Sequence, residues 1–474
     1  MEKPSWPSEK QLNRIKEIVS EMSKRSMEHV RIVVSPYRIC PLGAHIDHQG
    51  GNVSAMAINK GVLLGFVPSG DAQVVLRSAQ FKGDVNFRVD EKQYPNHSNN
   101  KKEETNANGH TKLEGDNNWG RYAKGALYAL QQKEHCLSQG IVGYICGSDG
   151  LDSSGLSSSA AVGLAYLLAL ENANNLKISP TENIDYDRLI ENGYLGLRNG
   201  ILDQSAILLS SYGCLLHMNC KTKDFKLIRP LDMESSLKSE TQKEYQILLA
   251  CSGLKQALTN NPGYNYRVAE CQEAAKILLN ASGNSHLEPL LCNGNISADL
   301  VKFAFLFWLF FNPRMMTLIL ISFLNLVVLS VEQEAYEVHK SKLEKNLAKR
   351  AEHYFSENTR VLQGLEAWAS GKLEDFGKLV AASGRSSIVN YECGAEPLVQ
   401  LYEILLKAPG VCGARFSGAG FRGCCIAFVD ADYAAEAAKF VRKEYQKVQP
   451  ELAAQIDPET AVLICEQGDC ARIL

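Results

Sequence analysis

The chain has 474 residues, 45% hydrophobic and 22% charged, which is the composition of an ordinary globular protein with room for two or three domains. Its formal net charge of −3, without a long run of Lys or Arg, argues against a nucleic-acid partner or an anionic membrane surface. The first residues, MEKPSWPSEKQLNRIKE, carry mixed charges and no apolar core of a signal peptide. The 14 Cys residues lack zinc-ligand spacing, which predicts reduced thiols and a cytoplasmic protein.

The first stretch with candidate chemistry is SPYRICPLGAHIDHQGG, residues 35–51, which follows an apolar strand candidate at 30–34. It predicts a short loop, bounded by Gly, that carries Arg38, His45, Asp47 and His48. Such a loop can present a cation, a carboxylate and imidazoles to one ligand.

The next segments indicate the fold class. Strand-like runs at 61–66 and 73–76 precede segments with a helical period, and this alternation favours an α/β protein. Residues 96–118 contain almost no large apolar side chain, which predicts a mobile surface loop. A helix is expected over 119–130, with Trp119 at its start.

The sequence SSGLSSSAA, residues 153–161, is the most informative part of the chain. Small residues let backbone N–H groups approach an anion, and the apolar helix expected over 162–172 adds the positive end of its dipole. The stretch therefore predicts a phosphate-binding loop, although a plain linker before a helix can have the same sequence pattern. A Gly-rich stretch, GARFSGAGFRGCC at 413–425, lies between strand candidates at 411–415 and 424–429, and its glycines permit close backbone approach.

Taken in order, residues 35–51, GLSSSA, GILDQ at 200–204 and residues 413–425 resemble the motifs of the GHMP small-molecule kinases, specifically of the galactokinase branch. The resemblance implies an α/β (α+β) fold with two domains. The N-terminal domain, about residues 1–218, would be ribosomal S5 domain 2-like, and the C-terminal domain, about 219–474, ferredoxin-like. It also implies ATP and Mg²⁺, with the sugar bound in the cleft between the domains, and a monomer.

The same resemblance assigns roles to individual residues. The nucleotide would be bound by Gly155, Leu156, Ser157, Ser158, Ser159 and Ala160, with Trp119 near the adenine and Gly418 and Gly420 in the third motif. Ser159 and Glu191 match the Mg²⁺ ligands. Asp203 matches the acid that accepts the proton of the attacking hydroxyl, and Arg38 would keep it ionised and offset developing charge.

The sugar loop departs from the galactokinase pattern at one position. Galactokinases usually read G-E-H-T-D, where the Glu accepts a hydrogen bond from the 6-hydroxyl, and here the stretch is Gly43-Ala44-His45-Ile46-Asp47. A Glu about 4 Å from a substrate carboxylate would cost about 4 kcal/mol at an effective dielectric constant of about 20. Ala44 therefore favours a sugar acid over galactose.

The wider stretch resembles the galacturonokinases of plants, a family that phosphorylates the anomeric hydroxyl of D-galacturonic acid with ATP. By this match the substrate-binding residues would be Ala44, His45, Asp47 and Tyr264. Three residues differ from those typical of galactokinases at their positions: Arg422, Tyr37 and His48. Each is a candidate to balance the negative charge of the substrate carboxylate. Three alternatives remain open: another sugar-1-kinase acting on galactose, glucuronate or arabinose; a catalytically silent sugar sensor; and a membrane-anchored regulator.

The membrane alternative rests on residues 301–331, VKFAFLFWLFFNPRMMTLILISFLNLVVLSV. As a span this segment would bury Arg314 near its middle, at a cost of roughly 2.5–3.5 kcal/mol, and as a buried helix it would need an apolar partner surface. The family resemblance stops near 291 and resumes near 332. The favoured interpretation is an atypical apolar insertion at about 295–331 that is foreign to the fold.

Overall fold

A computed structural model describes residues 6–95, 118–148, 151, 156–197, 199–230, 244–254, 263–283 and 331–474. The predicted surface loop, Gly155 and the apolar insertion lie outside these ranges, apart from Asn118 and Val331 at their edges. Within the described part of the chain, no helix is both long and apolar enough to cross a membrane.

The chain contains both helices and strands, as the sequence predicts, grouped in runs of each. The described helices are α1 (Glu9–Ser23), α2 (Arg121–Gln132), α3 (Ser158–Ala173), α4 (Pro180–Arg188), α5 (Leu202–Leu209), α6 (Gly263–Ala281), α7 (Gln333–His339), α8 (Lys345–Ala369), α9 (Leu373–Val389), α10 (Glu396–Leu405), α11 (Ala434–Val448), α12 (Pro450–Ala453) and α13 (Pro458–Ala461). The described strands are β1 (Arg31–Leu42), β2 (Asn52–Pro68), β3 (Gln73–Ser78), β4 (Val85–Arg88), β5 (Ile141–Gly147), β6 (Leu215–Asn219), β7 (Phe225–Ile228), β8 (Tyr245–Cys251), β9 (Val411–Phe416), β10 (Cys424–Asp430), β11 (Val462–Cys465) and β12 (Arg472–Ile473).

The first sheet has the order β12-β1-β2-β5-β3-β4. β2 is long enough to pair with β1 along most of its length, with β5 at one end and with β6 at the other. β7 extends the sheet from β6. β12 joins β1 through the pairs Val33–Ile473 and Val34–Arg472, so the end of the chain completes the sheet that its beginning forms.

The second sheet has the order β11-β8-β10-β9, and all its strands are antiparallel. Helix α9 packs directly against β9, where a Cβ on Gly377 would lie 2.5 Å from the backbone of Cys412. A glycine is needed there because any side chain would push the helix off the strand. The predicted boundary at residue 218 stays a prediction, and β7 lies beyond it within the first sheet.

Most predicted elements are confirmed, and one placement is wrong. The strand candidates at 61–66, 73–76, 411–415 and 424–429 lie within β2, β3, β9 and β10, and α3 begins inside the serine run at Ser158. Arg38, expected in a loop, lies within β1, whose residues are all buried after Arg31. β2 pairs with β1 from Arg31 to Leu42, and an irregularity in this pairing between Pro36 and Arg38 accommodates the proline.

The loop proper begins at Gly43, where φ is +93° and a Cβ would lie 2.6 Å from the carbonyl oxygen of Asn52. A short 3₁₀ turn, Asp47–Gln49, follows before β2. We call residues 43–51 the sugar loop.

Candidate active site

Arg38 and Asp203 form an ion pair between β1 and the first turn of α5. Nη2 and Nε of Arg38 lie 2.6 and 2.8 Å from the same oxygen, Oδ1 of Asp203. Burial acts to lower the pKa of Arg38, but the Asp203 carboxylate outweighs it and the pKa is raised overall. The guanidinium is therefore a permanent cation, and its Nη1 is buried without a hydrogen-bond partner among the described residues.

Ser159 and Glu191, the predicted metal ligands, lie in contact. The Ser159 hydroxyl donates to Oε1 of Glu191 at 2.7 Å, and the Asn199 amide donates to Oε2 at 3.1 Å. Glu191 is 1% exposed and lies in the π-helical turn Leu189–Tyr194. Burial, reinforced by the nearby Asp203 carboxylate, raises the pKa of Glu191 to about 7.

A carboxylate and a hydroxyl are hard oxygen donors of the kind that Mg²⁺ binds, usually with one or two carboxylates and the substrate phosphates. Across the described ranges, no group of three or more His, Cys, Asp or Glu side chains is arranged to hold a metal ion. The Ser159–Glu191 pair nevertheless fits the ion, because a buried carboxylate needs a cation nearby to stay ionised.

The serine-rich loop is tied to the strand that carries Arg38. The Leu156 carbonyl accepts a hydrogen bond from the Arg38 N–H at 3.4 Å. Ser157 has a left-handed conformation with φ of +59°, and its hydroxyl is buried without a partner among the described residues. Because α3 begins at Ser158, the free N–H groups of its first turn lie at the positive end of the helix dipole. Ala160 is fully buried behind this turn.

The sugar loop is held by helix α8 of the C-terminal half. Glu357 Oε1 accepts the Gly43 N–H at 2.8 Å, and Nε2 of His353 lies 3.0 Å from the Ala44 carbonyl oxygen. Both side chains are fully buried. Sequence analysis missed them, because charged residues on a long polar helix look like a solvated surface.

His45 is packed rather than exposed. Its ring stacks on Tyr391 with centroids 4.3 Å apart, and its Nε2 lies 3.5 Å from Sγ of Cys393. Burial, with the neighbouring His353, lowers the pKa of His45 well below its ordinary value, so the ring is neutral. Its predicted contact with the sugar stays a prediction.

Asp47 joins the sugar loop to the turn that leads to Asp203. Its Oδ2 accepts the Leu202 N–H at 3.4 Å, and a Cβ on Gly200 would lie 2.3 Å from the same oxygen. Burial raises the pKa of Asp47, and the Asp203 carboxylate adds to that effect. Tyr264 also reaches this cluster, since burial raises the pKa of its hydroxyl and the carboxylates of Asp47 and Asp203 raise it further.

The third motif forms a tight turn between β9 and β10, with φ of +71° at Gly418 and +78° at Gly420. Burial lowers the pKa of Arg422, and Tyr122 of α2 acts in the opposite direction. Arg422 therefore lies beside the start of α2. Trp119 precedes that helix, is 9% exposed, and has an indole N–H without a partner among the described residues.

Comparisons with known proteins agree with this arrangement. Residues 121–211 match the GHMP kinases N terminal domain, and residues 362–447 match the GHMP kinases C terminal domain. A galacturonokinase from Arabidopsis thaliana is 62% identical over 470 residues, covering 99% of this chain and 100% of that protein. The chain belongs to the galacturonokinase family. It is a GHMP kinase, as its motifs predict.

Two other comparisons show that this chain is similar to galactokinases in sequence and in fold. A galactokinase from Exiguobacterium sibiricum is 30% identical over 398 residues, 84% of each chain. The crystal structure of Lactococcus lactis galactokinase complexed with galactose matches with a TM-score of 0.73 at 24% identity, covering 98% of this chain and 99% of that one. The predicted fold class and the sugar-1-kinase class of enzyme are both confirmed, and the kinase family implies ATP as the phosphate donor.

Proposed function

We propose that this protein transfers the γ-phosphoryl group of ATP to the anomeric hydroxyl of D-galacturonic acid, giving galacturonate 1-phosphate and ADP. The observation that carries the proposal is the ion pair of Arg38 and Asp203. Asp203 interacts electrostatically with Glu191 on one side and with Asp47 of the sugar loop on the other. These interactions connect the pair to the proposed Mg²⁺ ligands and to the sugar loop, which supports a role between a phosphoryl group and a sugar.

Asp203 acts on the attacking hydroxyl. Its carboxylate accepts the proton of the anomeric hydroxyl as that oxygen attacks phosphorus, and a positioned base of this kind contributes roughly 10²–10⁴-fold to the rate. Arg38 is fixed on Oδ1 of Asp203, so it orients the carboxylate and supplies positive charge for the charge that develops on the transferred group.

The serine-rich loop and the third motif are proposed to hold the nucleotide. The N–H groups of Ser158 and Ser159 are positioned at the start of α3 to bind phosphate oxygens. Ser159 and Glu191 would hold Mg²⁺, and the bound ion neutralises charge on the phosphates. Arg422 interacts electrostatically with Tyr122 of α2, which lies three positions after Trp119, so its predicted role toward the sugar competes with one toward the nucleotide.

Ala44 supports a sugar acid as the substrate. It is 6% exposed, and its carbonyl oxygen lies 3.0 Å from Nε2 of His353, so this position carries a methyl group where galactokinases carry a Glu carboxylate. The high identity to the Arabidopsis thaliana galacturonokinase points to the same substrate. A cytoplasmic monomer stays a prediction.

The test is ADP release by the purified full-length protein with ATP, Mg²⁺ and each of D-galacturonate, D-glucuronate, D-galactose and L-arabinose. We expect turnover to be fastest on D-galacturonate. Asp203→Asn should lower kcat by about 10²–10⁴-fold. Asp84→Asn is the matched control, since Asp84 pairs with Arg77 in an exposed ion pair at 3.1 Å, and it should leave kcat within about twofold.

Two results would contradict the proposal. Faster turnover on another sugar would assign a different sugar-1-kinase activity, and sugar binding without ADP release would favour the sensor. A parallel preparation lacking residues 301–331 tests the insertion, because activity confined to the shortened protein would mark that segment as foreign to the working enzyme.

A further inference from the structure

Two side chains, Tyr391 beside the sugar loop and His48 within it, have buried polar atoms that the mechanism above does not use. Tyr391 is fully buried, and its hydroxyl has no hydrogen-bond partner among the described residues. Both ring nitrogens of His48 are buried and equally unpartnered in the described part of the structure. A buried polar group left without a partner costs about 1–3 kcal/mol, so these atoms point to a ligand that completes their hydrogen bonds.

The Tyr391 hydroxyl is held in place by its surroundings. Its ring lies flat on the His45 ring, with an interplanar angle of 11°, and 5.2 Å from the ring of His353. His353 in turn contacts the carbonyl oxygen of Ala44. Tyr391 therefore packs against the part of the sugar loop where galactokinases carry Glu and this chain carries Ala.

His48 belongs to the same region. It lies in the 3₁₀ turn of the sugar loop, three positions after His45, and its ring centroid is 6.4 Å from that of Tyr264. Tyr264 and Asp47 are also among the groups that interact electrostatically with Tyr391. Tyr391 and His48 therefore share Tyr264 and Asp47 as neighbours.

We propose that the hydroxyl of Tyr391 and a ring N–H of His48 donate hydrogen bonds to the carboxylate of the uronic acid. This inference rests on the proposed function. A carboxylate only accepts hydrogen bonds, so it matches two donors that lack acceptors, and bonds to a charged acceptor are roughly twice as strong as neutral ones. Of the residues that replace galactokinase-typical ones, Tyr37 is 1% exposed within the core. Arg422 also has a buried Nε without a partner among the described residues, but it interacts electrostatically with Tyr122 of α2, whereas His48 lies in the sugar loop itself.

The experiment compares Tyr391→Phe and His48→Phe with the wild-type protein on D-galacturonate and on two neutral sugars, D-galactose and D-galacturonamide. Binding is measured by calorimetry and turnover by ADP release. We expect each variant to lose about ten- to 100-fold in affinity for D-galacturonate, the loss of one hydrogen bond to a charged group. Affinity for the neutral sugars and KM for ATP should stay within about twofold, a change of about 0.4 kcal/mol or less.

Tyr402→Phe is the matched control, because the Tyr402 hydroxyl donates to the Ala381 carbonyl at 2.9 Å in another part of the molecule. Tyr402→Phe should leave affinity and turnover unchanged for all three sugars. Equal losses on charged and neutral sugars would show a structural role and overturn the proposal. The proposal would also be overturned if both variants kept the wild-type preference for D-galacturonate over the neutral sugars, or if only Arg422→Gln lost that preference. Absence of wild-type turnover on D-galacturonate would instead overturn the proposed function itself.

Discussion

Replacing Glu357 by Ala should destabilise the protein and loosen the sugar loop. The side chain is fully buried on α8. Its Oε1 accepts hydrogen bonds from the Gly43 N–H at 2.8 Å and from the Ser383 hydroxyl, and its Oε2 accepts one from Nε of Arg360 at 2.7 Å. Arg415, which is also fully buried, lies 3.6 Å away.

The expected loss is about 3–5 kcal/mol, because removing one partner of a buried pair leaves the other charge uncompensated. Burial acts to raise the pKa of Glu357, but His353, Arg360 and Arg415 together hold it below its ordinary value of 4.5. The stabilisation is therefore present above about pH 4.5 and is lost as the pH falls through the lower pKa of the folded state. Glu357→Ala should remove this dependence.

Urea unfolding followed by tryptophan fluorescence measures the change in stability, and kinetics on D-galacturonate measure the effect on the loop. We expect KM for the sugar to rise while KM for ATP changes little. Glu366→Ala is the matched control, since Glu366 is exposed on the same helix and should cost less than about 0.5 kcal/mol. A loss below about 1 kcal/mol for Glu357→Ala would refute the reasoning.

Three other predictions follow from the structure. Ser159→Ala and Glu191→Gln should each raise the Mg²⁺ concentration for half-maximal rate about tenfold or more, with sugar affinity unchanged. An unaltered Mg²⁺ requirement in both variants would exclude the pair as metal ligands. Burial raises the pKa of Glu171 from 4.5 to about 8, so the Tm of the wild-type protein should fall as the pH rises through that range. The Tm of Glu171→Gln should depend less on pH, and parallel plots of Tm against pH for the two proteins would contradict this. Gly377→Ala should lower the Tm by several degrees, because its Cβ would lie 2.5 Å from the Cys412 backbone, whereas Gly193→Ala, whose Cβ meets Tyr128 at 3.4 Å, should be tolerated.

The features predictable from the sequence are those encoded locally. The serine-rich loop and the start of α3 lie within a few residues of one another, so spacing alone indicates a phosphate site at a helix N-terminus. The ion pair of Arg38 and Asp203 joins residues 165 positions apart. No local pattern predicts such a pairing, and it was expected only through the family resemblance.

The features that were missed depend on tertiary burial. The glycines that bound residues 35–51 predicted a loop around Arg38, whereas β1 continues to Leu42 and pairs with β2 along its length. His353 and Glu357 belong to a helix with many charged residues, and only the fold brings the sugar loop against them. The sequence could not distinguish a buried acceptor for a backbone N–H from a solvated carboxylate.

These contacts show why the candidate site belongs to the whole chain. β1 supplies Arg38, and the same strand is bordered on one edge by β12 from the last residues of the protein. α8, which follows residue 331, fixes the Gly43 end of the sugar loop. Because both contacts come from segments distant in sequence, the position of the sugar loop depends on the packing of the C-terminal half against the first sheet. The geometry around Ala44 therefore depends on the assembled fold, and the local sequence motif alone does not determine it.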